Sequence, residues 1–355
     1  MEKIKERNSN IELLRILSMM MIVGLHYLNG NMGGALQKLT PKYTNFYLAY
    51  FFESTFIVGV NCFVIITGYF QINKTYINFS KILKLIIDML FYSIIFYIIA
   101  VILGFMPINF KEIIKVLGPF FFNRRWFVKI YIILYLLSPY INIVLKKLDK
   151  KQYKIFLTIL ILLFSLWPSF LPGAPNDDGG YGIITFIIMY SLGGYIQIFY
   201  NKEKYKKPVY FIGYIMCAFL TFVCSIVTYR ILGYSRAWGY NFIFNIMGSV
   251  FLFLFFLKIN INSTIINKIA KYTFGVFLIH SDFSLNDIIY KVILHSDKYW
   301  YSSLFIVHIF ISIIFMYTIS TIIDIMNTIF FNHIKKVISP YFQKKFPILS
   351  KNIEI

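Results

Sequence analysis

IELLRILSMMMIVGLHYLN, residues 11–29, is apolar enough to cross a bilayer, yet it carries Glu12 and Arg15 near one end and His26 near the other. Arg15 and His26 are eleven positions apart. At about 100° per residue this is within roughly 20° of three full turns, so both side chains leave one helix face, about 16 Å apart along the axis. Glu12 lies three residues before Arg15, on the same surface, and can pair with it. An ionisable side chain inside a span costs about 2.5–3.5 kcal/mol even on lenient insertion scales, and normally faces a bundle interior or a wet cavity. Two readings stand side by side: a snorkelling ion pair with a hydrogen-bonded packing histidine, or a polar stripe built for ligand and proton.

The rest of the chain repeats the apolar pattern. Of 355 residues, 59% are hydrophobic and 14% charged, with a mean hydropathy of +0.69. The apolar residues come in blocks of about 20, the length of a membrane-crossing helix. Ten blocks can be drawn, at 11–29, 46–70, 82–104, 126–145, 153–171, 181–200, 208–229, 239–257, 265–281 and 301–331. The expectation is an all-α, polytopic membrane protein with about ten transmembrane helices. It forms one domain over 1–355, with a core at 9–331 and a basic tail at 332–355.

The formal charge of +20 is a topology signal. With connecting segments assigned alternately to two sides, the set containing MEKIKER collects about twice as many of the 35 Lys and Arg as the other. KKLDKKQYK and NKEKYKK fall on that side, and GAPNDDGG, without positive charge, on the opposite one. The positive-inside pattern places both termini in the cytoplasm and leaves no reason to invoke nucleic acid. The first block lacks the cleavage pattern of a signal peptide, and Arg15 interrupts its apolar core, so it reads as the first crossing helix. Cys62, Cys217 and Cys224 lie within blocks and form no CxxC pair, so packing is expected of them and no metal site.

Other polar residues sit where lipid or protein interior is expected. His280 closes the ninth block, in YTFGVFLIHSD, which puts it in the same half of the membrane as His26; a neutral imidazole there can take a proton from a hydroxyl. Glu53, Asn61, Asp88 and Asp324 each invite a partner. Arg125 and Lys129, four apart at the outer start of the fourth block, form a basic ridge suited to an anionic substrate or to lipid phosphates, with Arg230 and Arg236 on the same side. Between the third and fourth blocks, Ile113, Ile114 and Leu117 share one helical face and predict a short interfacial helix.

At these residues the sequence resembles the integral membrane acyltransferases of the acyltransferase-3 type. IELLRILSMMMIVGLHY is similar to that family's opening helix, an acidic residue followed by Arg-x10-His, with Glu12, Arg15 and His26 on those positions. GVNCFVIITGYF resembles its second-span pattern, and WFVKIYIILYLLSPYIN the fourth span of bacterial exopolysaccharide-modifying members. GYGIITFIIMYSLGGYI and YTFGVFLIH extend the resemblance over about residues 9–325. Many members carry an arginine pair in the cytoplasmic loop after the second span; Lys81 and Lys84 stand there, keeping charge without the bidentate fork.

The resemblance implies a plasma-membrane O-acyltransferase of surface polysaccharide, lipid-linked glycan or cell-wall polymer. Its donor is acetyl-CoA or another acyl-CoA, a substrate; no bound cofactor is implied. It implies Arg15 on the donor side and His26 as general base or transient acyl carrier, with Glu12 and His280 in support. Lys81 and Lys84 would meet the donor, and Arg125 and Lys129 the acceptor. Partners are then acyl-CoA, a carbohydrate or cell-envelope glycan, and membrane lipids. The rival expectation is a glycan exporter that uses the same charges as a path, without acyl transfer.

Overall fold

The computed structural model describes residues 8–122, 125–201, 205–345 and 352–354, with side chains to residue 330. The MEKIKER charges, Lys351 and the side chains of Lys335, Lys336, Lys344 and Lys345 therefore lie outside the described residues. The helices are α1 Ser9–Leu28, α2 Ala35–Lys38, α3 Thr44–Phe56, α4 Val58–Gln71, α5 Phe79–Ile102, α6 Phe110–Leu117, α7 Trp126–Lys147, α8 Lys150–Ile161, α9 Trp167–Phe170, α10 Ile183–Phe199, α11 Lys207–Leu232 and α12 Ile243–Leu257. They continue with α13 Thr264–Ile269, α14 Thr273–His280, α15 Ser296–Tyr299 and α16 Phe305–Lys345. The strand β1 Tyr76–Asn78 pairs antiparallel with β2 Asn352–Glu354, Ile77 opposite Ile353.

Among the described residues, seven helical stretches are long and apolar enough to cross a membrane: Ser9–Leu28, Thr44–Gln71, Phe79–Ile102, Trp126–Lys147, Lys150–Phe170, Lys207–Leu232 and Phe305–Phe330. α10 and α12 are apolar but shorter, 17 and 15 residues. The ninth expected block is not one helix: α13, a 3-10 turn at Ala270–Tyr272 and α14 follow one another end to end.

The irregularities have local causes. Ser54 and Thr55 donate back to the carbonyls of Tyr50 and Phe51, each at 2.8 Å. Such back-bonding bends helices, and α3 gives way to α4 two residues later at Ile57. In α7, Pro139 has no N–H for the Tyr135 carbonyl, and the Ser138 hydroxyl donates to it instead at 2.8 Å. Pro168 likewise frees the Phe164 carbonyl beside the π turn Leu162–Leu166, and the Asn241 amide donates to it at 3.3 Å. Where backbone leaves the regular ladder inside lipid, another donor has to take the orphaned carbonyl, and these residues do so.

Burial identifies the centre. In Thr44–Gln71, 78% of the apolar window is buried, against 28% in Lys207–Leu232. α1 and α3–α4 are thus inside the bundle, and α11 lies at its apolar rim, where Ile231 and Met216 are exposed. The central contact between α4 and α10 needs glycine: a β-carbon on Gly68 would strike the Tyr190 carbonyl, and one on Gly193 the Ile65 carbonyl. Small residues of this kind let helix backbones approach closely. The short α6 forms where expected, capped by the Asn109 side chain on Glu112 N at 2.8 Å, with Ile113, Ile114 and Leu117 exposed.

Candidate active site

α1 and the broken α13–α14 segment run side by side in the same direction. At one end the Ser9 hydroxyl accepts from Ser263 N at 3.0 Å; at the other, the His26 and His280 rings lie 4.9 Å apart, centroid to centroid, tilted by 39°. Both contacts join residues 254 apart in sequence, so the two segments stay in register for their whole length. Register is what brings the two imidazoles together.

His280 is fully buried, and its Nδ1 is 2.6 Å from the Val276 carbonyl. A carbonyl only accepts, so Nδ1 carries the hydrogen and, in the neutral ring, Nε2 holds the lone pair. Nε2 of His280 and Nδ1 of the half-buried His26 have no hydrogen-bond partner among the described residues. Buried polar atoms are normally paired, and unpaired ones carry a desolvation cost. Two such nitrogens on adjoining rings are a place where a hydroxyl proton has somewhere to go.

Arg125 stands at the N-cap of α7, next to this pair. It does not lie open on a ridge. The guanidinium is buried, donates to the Ser281 hydroxyl at 2.8 Å and the Leu278 carbonyl at 2.9 Å, and pairs with the Asp282 carboxylate. Asp282 in turn accepts from Ser284 N at 2.9 Å. All these partners flank His280, so Arg125 ties the start of α7 to the end of α14 and lies within electrostatic reach of both rings. Lys129, one turn further, is half-buried.

At the other end of α1, Arg15 Nε is 3.7 Å from Glu12 Oε2, an ion pair rather than a hydrogen bond, and the Arg15 side chain keeps 29% of its surface. Its Nε makes no hydrogen bond to a described residue. Lys81 and Lys84 are exposed in the first turns of α5, with Lys84 paired to Asp88 at 3.1 Å. Deeper in, the Tyr92 hydroxyl donates to Asp324 at 2.6 Å and accepts from Asn327 at 3.0 Å. Asp88 and Asp324, two of the acids that invited partners, are thereby accounted for.

A family model described as an acyltransferase domain matches residues 8–325, nearly the whole chain, and includes every histidine, arginine and acid just described. The chain belongs to this acyltransferase family. No curated protein and no solved structure was found to match it. As a multi-pass membrane acyltransferase, it holds its polar groups at two ends of one central helix, Arg15 with Glu12 and His26 with His280.

Sequence reasoning missed several members of this arrangement. Asp282 stands two residues after His280, but nothing local says that its partner is Arg125. His308, inside the last apolar block, is held by the Tyr27 hydroxyl at 2.6 Å and stacked on Tyr299 at 3.7 Å; a histidine within an apolar run was the available signal. Trp126, Tyr181 and Tyr240 pack against one another from three separate segments, and no spacing announces that.

Proposed function

We propose that the protein is a plasma-membrane O-acyltransferase that moves an acetyl group from acetyl-CoA to a hydroxyl of a surface polysaccharide, lipid-linked glycan or cell-wall polymer. The observation that carries this reading is the contact between His26 and His280, two adjoining imidazoles with unpartnered nitrogens, in a chain of acyltransferase family. The acceptor hydroxyl gives its proton to His26 as its oxygen attacks the thioester carbonyl. The C–S bond then breaks, and CoA leaves as a thiolate that recovers the proton, so that ester and free thiol are the products. His280, its Nδ1 committed to Val276, packs against the His26 ring and keeps it oriented.

Ten crossings with both termini in the cytoplasm are the topology this reading adopts. It is supported by the loop charges and by the parallel course of α1 and α13–α14, the first and ninth segments of an alternating chain. Arg15 then sits on the cytoplasmic side, a fixed cation for the phosphates of the donor, with Lys81 and Lys84 raising the local positive charge. The roughly 16 Å between Arg15 and His26 is spanned by an extended donor lying along α1.

The test is acyl transfer by purified protein from labelled acetyl-CoA to candidate glycans, with His26→Ala and Arg15→Ala beside the wild type. Label should reach the glycan with wild type and fall with both variants. Wild-type transfer by both variants sinks the mechanism; glycan movement across vesicles without CoA release favours export.

A further inference from the structure

The walls near the histidine pair are built in two ways. Beyond the end of α1 the chain is latched over His26. Gly33 N donates to the His26 carbonyl at 3.1 Å, and the Gly33 carbonyl accepts from Trp300 Nε1 at 2.9 Å. The Asn45 amide holds the Trp300 and Ser302 carbonyls at 2.9 and 2.8 Å. Opening this side means breaking several of these bonds together, each at the cost of an unpaired polar group.

The other wall is α6. After Ile102 the chain turns back along α5: Phe105 N and Met106 N donate to the Ala100 carbonyl at 2.8 and 3.2 Å, and the Tyr97 hydroxyl donates to the Pro107 carbonyl at 2.9 Å. Gly104, at φ 77°, makes the reversal, a conformation that costs glycine nothing. Val116 of α6 then lines, with Ser93 of α5, a small cleft whose other walls are Arg125, Asp282, Phe283 and Ser284. Asp282 is two residues from His280, and Ser93 is nine residues before Ile102, about 14 Å back down the helix. α6 therefore re-enters the depth that α5 spans.

Its faces are inverted for a helix in water. Phe110 and Leu117 are 77% and 57% exposed, and Ile113 and Ile114 are exposed beside them, whereas Val116 is buried and the Glu112–Lys115 ion pair is half-buried. α6 packs on α5, whose own Ile98, Ile99 and Ile102 are exposed. At this depth such a surface belongs to lipid, and the polar side of a re-entrant segment is tolerated because it lines a protein cleft.

The cleft has room for a hydroxyl-sized group and none for a sugar ring, so a ring enters there only when α6 moves. A helix whose apolar face already lies in lipid can shift without exposing that face to water, and Gly104 and Gly118 bound the segment that would swing. Two serine hydroxyls, a guanidinium and a carboxylate on the wall are donors and acceptors suited to sugar hydroxyls.

We propose that α6 is a lateral gate and that the acceptor is a glycan carried on a lipid, its sugar arriving from the bilayer past α6 to Ser93 and Ser284. This rests on the reading of the protein as a glycan acyltransferase. Two measurements on the full-length protein in vesicles of phosphatidylethanolamine and phosphatidylglycerol separate the two claims. The first is photolabelling by hexadecyl glucoside and hexadecyl N-acetylglucosaminide carrying a diazirine on the sugar, mapped by mass spectrometry with and without excess plain glycoside. The second is acetyl transfer from labelled acetyl-CoA to the hexadecyl and methyl glycosides of the same sugars.

Label that plain glycoside competes away should fall on residues 93–117 or 281–284, and the hexadecyl glycosides should be acetylated at the lower KM. Partition into the vesicle also lowers that KM, so the lipid face of α6 decides. Ile114→Asp and Leu117→Asp should each raise the hexadecyl KM about tenfold or more, without lowering transfer to the methyl glycosides and with the acetyl-CoA KM and melting temperature unchanged. Equal KM for the two glycosides, or a hexadecyl KM that neither variant moves, overturns the gate and leaves the enzyme reading standing. Competed label on these residues without transfer leaves the gate and removes the enzyme reading. Absence of competed label from them overturns the gate.

Discussion

Two arginines of this protein show opposite ways of keeping a cation inside a membrane domain. Arg125 is buried and committed, its guanidinium shared among Asp282, Ser281 and the Leu278 carbonyl. Arg15 is partly open, at ion-pair distance from Glu12, with an Nε that hydrogen-bonds to no described residue. A committed guanidinium holds structure, whereas one with spare donors can receive a ligand. The same contrast divides the histidines: His308 is bonded to Tyr27 and stacked on Tyr299, while His26 and His280 face each other with unused nitrogens.

The strongest challenge to this contrast is His26→Ala. Loss of a general base should lower acyl transfer by about 10²–10⁴-fold, with thermal unfolding in detergent unchanged; His308→Ala should shift unfolding more than transfer. Arg125→Ala comes next, and its effect should be on stability. Removing one member of a buried pair costs about 3–5 kcal/mol, so the melting temperature should fall, and Asp282→Asn in the same chain should recover part of the loss.

Arg15→Lys is a finer test. It keeps the charge and loses the fork, so the KM for acyl-CoA should rise about tenfold while unfolding stays as in wild type. If Arg15→Lys instead unfolds the protein, Arg15 is as structural as Arg125 and the contrast fails. The smallest effect belongs to the Lys81→Ala, Lys84→Ala pair. Exposed i,i+4 pairs such as Lys84–Asp88 are worth about 0.3–0.5 kcal/mol, so stability should hardly move. The acyl-CoA KM should rise a few-fold, roughly, and the rise should shrink with added salt.

Much of the architecture is legible in the chain. Seven of the ten apolar blocks return as long apolar stretches, and the shared face of Ile113, Ile114 and Leu117 returns as α6. What escaped reading are the places where a helix departs from regularity: the break at Ile57, the π turn at Leu162–Leu166 and the 3-10 link before α14. Hydropathy reports whether a segment tolerates lipid. It does not report whether its backbone is continuous, because that depends on donors such as Asn241 arriving from elsewhere in the fold.

By itself the sequence determined the membrane class, the placement of Arg15 and His26 on one face of α1, and the family, since these follow from composition and from spacing within single segments. Only the tertiary structure decided which polar groups would meet. His26 reaches His280 because α1 and α13–α14 run parallel and in register over a separation of 254 residues. Arg125 reaches Asp282 across another long separation, and the buried Glu53 keeps an oxygen that hydrogen-bonds to no described residue. Helical periodicity constrains neighbours three and four residues apart. Contacts between distant segments are selected by the packing of the whole bundle, where close approach at Gly68 and Gly193 sets the position of everything built upon it.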